Sequence, residues 1–261
     1  MQSITLYTFY NMMQAMIFAA GLGTRLKPLT DTMPKALVSV RGEPLIRRVL
    51  QRLADAGVGR VVVNVHHFAS QITQYLSENR NFGLDIAISD ETEGLLETGG
   101  GIKHAARLFD AESPVLIHNV DILSNVNLRK FYNIAAESEV AATPVDAVLL
   151  VSWRKTKRYL LFDDDMRLVG WTNIETGEVK SPYPELDPRK CRMYAFAGIH
   201  VISPRMFPLM DAFPEKFSII DFYLKTCATH NIKGYVKDDL KLMDIGKLDT
   251  LAQAETFLSE L

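Results

Sequence analysis

Apolar residues recur along this chain in two alternating rhythms. Short runs rich in β-branched or aliphatic residues lie at 15–18, 60–65, 84–89 and 114–123. Between them, apolar positions repeat at three- and four-residue spacing, the period of a helix buried on one side. Leu45, Ile46, Val49, Leu50, Leu53 and Ala54 form one such face, and Gly57 stands where a left-handed helix cap belongs. "RVVVNV" (60–65) predicts a strand covered on both faces, as in parallel sheets. A helix through Ile72 and Leu76 follows, then the strand "LDIAIS" (84–89). "GGGIKHAARLF" (99–109) reads as a glycine turn entering a helix, and "PVLIHNVDIL" (114–123) as an apolar strand running into Asp121. The order β-loop-α-β-α-β-α-β predicts an α/β protein with a doubly wound, mostly parallel sheet in three α/β/α layers. Ligands of such sheets sit at the carboxyl ends of the strands, where the first loop, the glycine turn and Asp121 all fall.

The second half has a different grammar. "RYLLFDDDMRLVGW" (158–171) predicts a hairpin turning at Asp163–Asp165, and "RMYAFAGIHVIS" (192–203) a long strand interrupted by Gly198. A helix capped by Ser218 spans 217–231, strands follow at 232–238 and 240–246, and a last helix runs from Leu248 to Leu261. With no Pro- or Ser-rich linker, residues 15–261 read as one domain whose second sheet region, about 140–235, forms a lobe of its own. Residues 1–14 carry no charged side chain and read as a disordered extension, with the first strand starting at Ala15.

Composition narrows the chemistry. A chain 48% hydrophobic and 23% charged is that of a globular protein, and a net charge of −2 supports neither nucleic acid nor an acidic membrane as partner. Any phosphate binding must therefore come from a local group of donors. No apolar run is long enough to span a bilayer, and Cys191 and Cys227 are isolated, which suits a reduced cytoplasmic protein.

Such a donor group stands after the first strand, in "FAAGLGTRLKPLTDTMPKAL" (18–37). A dinucleotide fingerprint, GxGxxG, fails at Leu26, and no GxxxxGK[ST] loop is present. What remains is an extended loop in which the backbone at Gly21 and Gly23 can approach an anion closely. Arg25 offers a planar fork of donors, Lys35 a compact cation, and Pro28 and Pro34 stiffen the backbone.

Gly21, Gly23, Thr24, Arg25, Pro28, Thr30, Pro34 and Lys35 occupy every defined position of GxGTRxxPxTxxxPK, so the loop resembles the signature of the sugar-1-phosphate nucleotidylyltransferases. "PLIRRVLQRLADAGVGRVVVNVHH", "LLETGGGI" (95–102), "FAGIHVIS" (196–203) and "MDIGKLDTLAQAE" (243–255) are similar to later segments of the same family. The resemblance implies the Rossmann-like nucleotide-diphospho-sugar transferase fold. It also implies a Mg²⁺-dependent reaction in which a sugar 1-phosphate attacks the α-phosphorus of a nucleoside triphosphate. Carried over residue by residue, it makes Arg25, Lys35 and Asp121 catalytic. Ala20, Gly21, Leu22, Gly23, Thr24, Arg25, Lys35, Gly99 and Gly100 become nucleotide-binding, with Gly99 to Gly101 pressed along the base. Glu97, Asn119, Gly198 and Asp244 fall on the sugar side, and Asp121 and Asp244 on the metal. The expected partners are a nucleoside triphosphate and a sugar 1-phosphate, bound by a monomer or homodimer. "LETGGGI" and the compact length most resemble the N-acetylmuramate-1-phosphate uridylyltransferases, with the mannose-1-phosphate guanylyltransferases next.

Two motifs depart from the family pattern. Val120 replaces the usual glycine before the first metal Asp, and Met243 and Lys247 alter the closing motif around Asp244 and Gly246. These departures suggest an alternative, a catalytically weak nucleotide-sugar-binding subunit. His66, His67, His118 and Asp163–Asp165 read as structural, and Asn173, Glu175 and Lys180 are sugar-side candidates without a motif to rank them.

Overall fold

The computed structural model describes residues 12–261, so residues 1–11 of the expected extension lie outside it. Strand β1 (Met13–Phe18) begins two residues earlier than Ala15. The reason is Gln14, a buried side chain whose Nε2 donates to the carbonyls of Asp110 (2.8 Å) and Ser113 (2.7 Å) while its Oε1 accepts from Asp110 N. A polar residue in a buried strand is tolerated when its amide is fully paired.

The chain continues through a small ribbon, β2 (Ser39–Val40) and β3 (Glu43–Pro44), into α1 (Leu45–Asp55), β4 (Val58–Val65), α2 (Ala69–Glu78), β5 (Asp85–Asp90), α3 (Glu97–Ala105) and β6 (Val115–Asn119). Gly57, at φ 84°, ends α1 as the sequence predicts. Next come β7 (Ile122–Ser124), α4 (Leu128–Ala136), β8 (Ala147–Ser152), β9 (Arg158–Phe162), β10 (Leu168–Asn173), β11 (Glu178–Lys180) and β12 (Arg192–Ile202). Then α5 (Ile219–Thr226), β13 (Ile232–Val236), β14 (Leu242–Asp244) and α6 (Leu248–Leu258) complete the described chain.

Ten strands form one sheet in the order β11-β10-β9-β12-β6-β1-β4-β5, with β8 paired to β12 and to β13. β6, β1, β4 and β5 are parallel, whereas β12 is antiparallel to β6, β8 and β9. Alternation along each strand divides the core between the two faces. Ile17, Val61, Val63 and Leu116 pack with α1 and Phe131 of α4, while Met16, Val62 and Ile117 pack with Ile102, Phe222 and Tyr223. β8 and α4 are elements the sequence reading left unassigned. β8 is wholly buried, and α4 buries Leu128, Phe131, Tyr132 and Ala135 behind an Asn127 cap that accepts from Lys130 N.

One expectation is corrected. The three glycines do not form a turn, because Gly99, Gly100 and Gly101 are buried inside α3. Asp244 lies outside the main sheet, since among the described strands β14 pairs with β7 alone, as a separate two-stranded ribbon.

Candidate active site

The loop after β1 folds as three 3-10 turns, Thr24–Leu26, Leu29–Asp31 and Lys35–Leu37. It is held from inside by fully buried Leu26 and by Thr30 Oγ1, which donates to Gly23 O at 2.8 Å. Gly23 has φ 63°, and a Cβ there would lie 2.8 Å from Thr30 Cγ2, so both conformation and space require glycine. At the loop's entry, Asn64 Oδ1 accepts from Ala19 N (2.7 Å) and Ala20 N (3.2 Å), and Asn64 Nδ2 donates to Glu91 Oε1 at 2.7 Å. Glu91 Oε2 accepts from Leu96 N, so one buried pair ties the loop to the start of α3. The sequence reading singled out neither residue. The signal was Asn64 alone among valines in "VVVNV".

The charged centre assembles beside this loop. Lys35 Nζ donates to Asp121 Oδ2, with both side chains largely covered. Ile245 N donates to Asp121 O at 2.8 Å, and Asp244 stands opposite Ile122 in the β14–β7 ribbon, which brings the two carboxylates to one place. Arg25 arrives from the loop: a Cβ on Gly246 would be 2.7 Å from Arg25 Nη2 and 2.8 Å from Asp244 Oδ1. Burial, then the Asp121 charge, pushes the Asp244 carboxyl above the usual carboxylate range, against Lys35, Arg25 and Arg154. Asp244 Oδ1 is buried and has no hydrogen-bond partner among the described residues. A buried, orphaned carboxylate oxygen beside a second carboxylate is a donor set that fits a hard divalent cation such as Mg²⁺.

A cleft of about 240 Å³ runs from Ala19, Ala20 and Gly21 past Leu95, Glu97 and Thr98 to Lys35, Asn119 and Asp121. Glu97 opens α3 at φ 61°, a conformation uncommon for a side chain of this kind. Gly198, at φ 74°, lies against Asn119, whose Nδ2 would be 2.7 Å from a Cβ there. Gly21, Leu22, Thr24 and Arg25 are exposed along the loop. Gly99 and Gly100 are elsewhere engaged. Both amides donate to Phe217 O, at 2.8 and 3.2 Å, and added Cβ atoms would meet Phe217 and Glu215 O. Gly99 and Gly100 thus seat α3 against residues 215–217, while Gly101 faces Glu91, Phe18 and Asn64 at the back of the cleft.

Asn173 and Lys180 line a second, open cavity with Arg154, Arg158 and Trp171, whereas Glu175 pairs outside it with Lys157. His66 Nδ1 lies 2.6 Å from Glu91 O, and His67 stacks on Phe68. His118 is buried with Nδ1 2.7 Å from Asn119 O, and burial lowers its pKa to about 3. Asp163 Oδ1 accepts from Asp165 N and Arg167 N, as a turn residue does. Val120 packs in the core with its amide on Phe18 O, and Lys247 is exposed at the start of α6. Val120 also lines the cleft beside Asp121.

A mixed sheet with a phosphate-type loop and Asp121 at its rim, and Asp244 brought alongside by a separate ribbon, is the arrangement of an α/β protein that handles phosphates. The nucleotidyl transferase family profile matches residues 14–260. N-acetylmuramate alpha-1-phosphate uridylyltransferase of Caulobacter vibrioides is 34% identical over 254 residues, spanning 94% of this chain and 97% of that protein. Mannose-1-phosphate guanyltransferase 2 of Candida glabrata is 26% identical, over 95% of this chain and 66% of its own length. Among solved structures, HddC from Yersinia pseudotuberculosis complexed with GMP-PN superposes with a TM-score of 0.72 at 24% identity, covering 95% of this chain and all of that one. The chain belongs to the nucleotidyl transferase family, and its fold is the Rossmann-like fold of the nucleotide-sugar transferases.

Proposed function

We propose that this chain condenses UTP with N-acetylmuramate 1-phosphate, with Mg²⁺, to give the UDP-sugar and pyrophosphate. The observation that carries the reaction class is the meeting of Arg25, Lys35, Asp121 and Asp244 beside the cleft. The choice of substrates rests on similarity to the Caulobacter relative along nearly its whole length.

Two anionic reactants must come together, so charge neutralisation and in-line positioning supply most of the catalysis. Arg25 would hold the β- and γ-phosphates and steady the leaving pyrophosphate. Lys35, exchanging Asp121 for the α-phosphate, would neutralise the charge that builds there. Asp121 and Asp244 would hold the Mg²⁺, whose chemistry is to offset charge between the two phosphates. The Glu91–Asn64 pair keeps Ala19 and Ala20 fixed, so the loop is ordered before substrate arrives. We place the reaction in the cytoplasm, where UTP is made and where the free Cys191 and Cys227 stay reduced. We assign it to a monomer or homodimer, which sedimentation distinguishes.

Pyrophosphate release across UTP, GTP, CTP and dTTP against N-acetylmuramate, N-acetylglucosamine, glucose and mannose 1-phosphates tests the proposal. One strong pair containing UTP is expected. No release with either Mg²⁺ or Mn²⁺ would sink it. A GTP and mannose 1-phosphate optimum would favour the second reading, which similarity to the Candida protein supports.

A further inference from the structure

The second cavity, about 530 Å³, lies between β9, β10, β12 and the start of α5. Its acids already have a partner: Glu178 and Asp221 both face Lys180, at 3.9 and 3.5 Å. Its two arginines have no acid partner among the described residues. Arg158 makes no side-chain hydrogen bond or ion pair among the described residues, and Arg154 uses Nη2 to donate to Phe196 O at 3.0 Å. The remaining donors of both guanidiniums are open. Trp171, under Lys180 at 5.3 Å, and Tyr159, whose hydroxyl accepts from Thr156 N, add ring faces suited to the apolar side of a sugar.

Strand β12 runs from this cavity to the nucleotide cleft. Phe196 lines the cavity two residues before Gly198, which packs on Asn119 in the nucleotide cleft. Arg154 lines it as well, tied to β12 by its Nη2 bond to Phe196 O. A sugar whose 1-phosphate lay at Asp121 and Asp244 would extend along β12 toward the open donors of Arg154 and Arg158.

We propose that this cavity selects a sugar 1-phosphate bearing a carboxylate, with Arg158 as its anchor and Arg154 between that carboxylate and the reaction centre. The inference rests on the proposed function and names the part of the sugar that is read. A guanidinium receives a carboxylate through two parallel hydrogen bonds, which a neutral ring substituent cannot replace. Because both arginines are exposed, discrimination should be about 10- to 100-fold, well short of the 10⁴ or more of a sealed site.

The test compares kcat/KM for N-acetylmuramate 1-phosphate and N-acetylglucosamine 1-phosphate, which lacks the carboxylate-bearing ether, at saturating UTP. The wild-type enzyme should prefer the carboxylate by at least about tenfold. Arg158→Gln should erase most of that preference through KM, with kcat little changed, and Arg158→Lys should keep part of it. Arg158 is exposed and holds no side-chain contact that folding needs, and an unchanged thermal midpoint checks this. Equal use of both sugars by the wild type overturns the inference alone, as does a wild-type preference surviving in both Arg158→Gln and Arg154→Gln. Turnover of neither sugar overturns the proposed function and this inference with it.

Discussion

Gly246 has no room for a side chain between Arg25 and Asp244, although nothing about its backbone requires glycine. The nearest atoms are ends of flexible side chains, so Gly246→Ala should displace Arg25 rather than unfold the chain. We expect kcat/KM to fall at least about tenfold with stability within about 1 kcal/mol of wild type, read by pyrophosphate release and thermal unfolding. Arg25→Ala and Asp121→Asn should each cost at least about 10²-fold in kcat, as when a group that stabilises developing charge is removed. The four charged residues were legible because an ordered motif fixes their spacing. Asn64 and Glu91 were not, since a polar side chain in an apolar run gives no hint of a partner 27 residues away.

At the level of elements, the glycine run shows where periodicity misleads. Three consecutive glycines look like a turn, yet here they let a helix touch other backbone. A Cβ on Gly100 would lie 2.1 Å from Glu215 O, a carbonyl held in place by its neighbours. Gly100→Ala gains about 1 kcal/mol of helix propensity but forces a shift costing about 1–3 kcal/mol or more. The clash should win: urea titration should show net destabilisation, where a turn role would predict little change. α1 was readable because its face, its Pro44 entry and its Gly57 cap agree. β8 and α4 escaped notice, although β8 is as continuous an apolar run as β4; paired as it is to β12 and β13, its place in the sheet was not legible.

For the molecule as a whole, the parallel half follows from alternation of strand and helix, since right-handed crossovers leave few arrangements. The antiparallel half depends on which strands β12 meets, a long-range choice that no local pattern encodes. Two buried histidines in this sheet set an acid limit on stability. Burial pushes His118 and His200 to about 3, while unfolded histidine titrates near 6.5. Protons therefore bind the unfolded chain preferentially between those values. Stability should be complete above about pH 6.5 and fall toward pH 3, by up to about 1.4 kcal/mol per pH unit for each histidine. Urea midpoints at pH 7.5, 6 and 5 check the slope, and His200→Gln should flatten it.

β12 also has a consequence for evolution of the sheet. Its first half pairs with β9 beside the arginine-bearing cavity, its second half pairs with β6 beside Asn119, and the pairing with β8 slips between Phe196 and His200. One strand thus fixes the separation between the arginine-bearing cavity and Asn119, advancing about 3.3 Å per residue. Inserting a single residue ahead of Gly198 would turn the following side chains to the opposite face. β10 and β11 do not pair with β12 among the described strands, so residues such as Trp171, Asn173 and Lys180 can change without shifting its register.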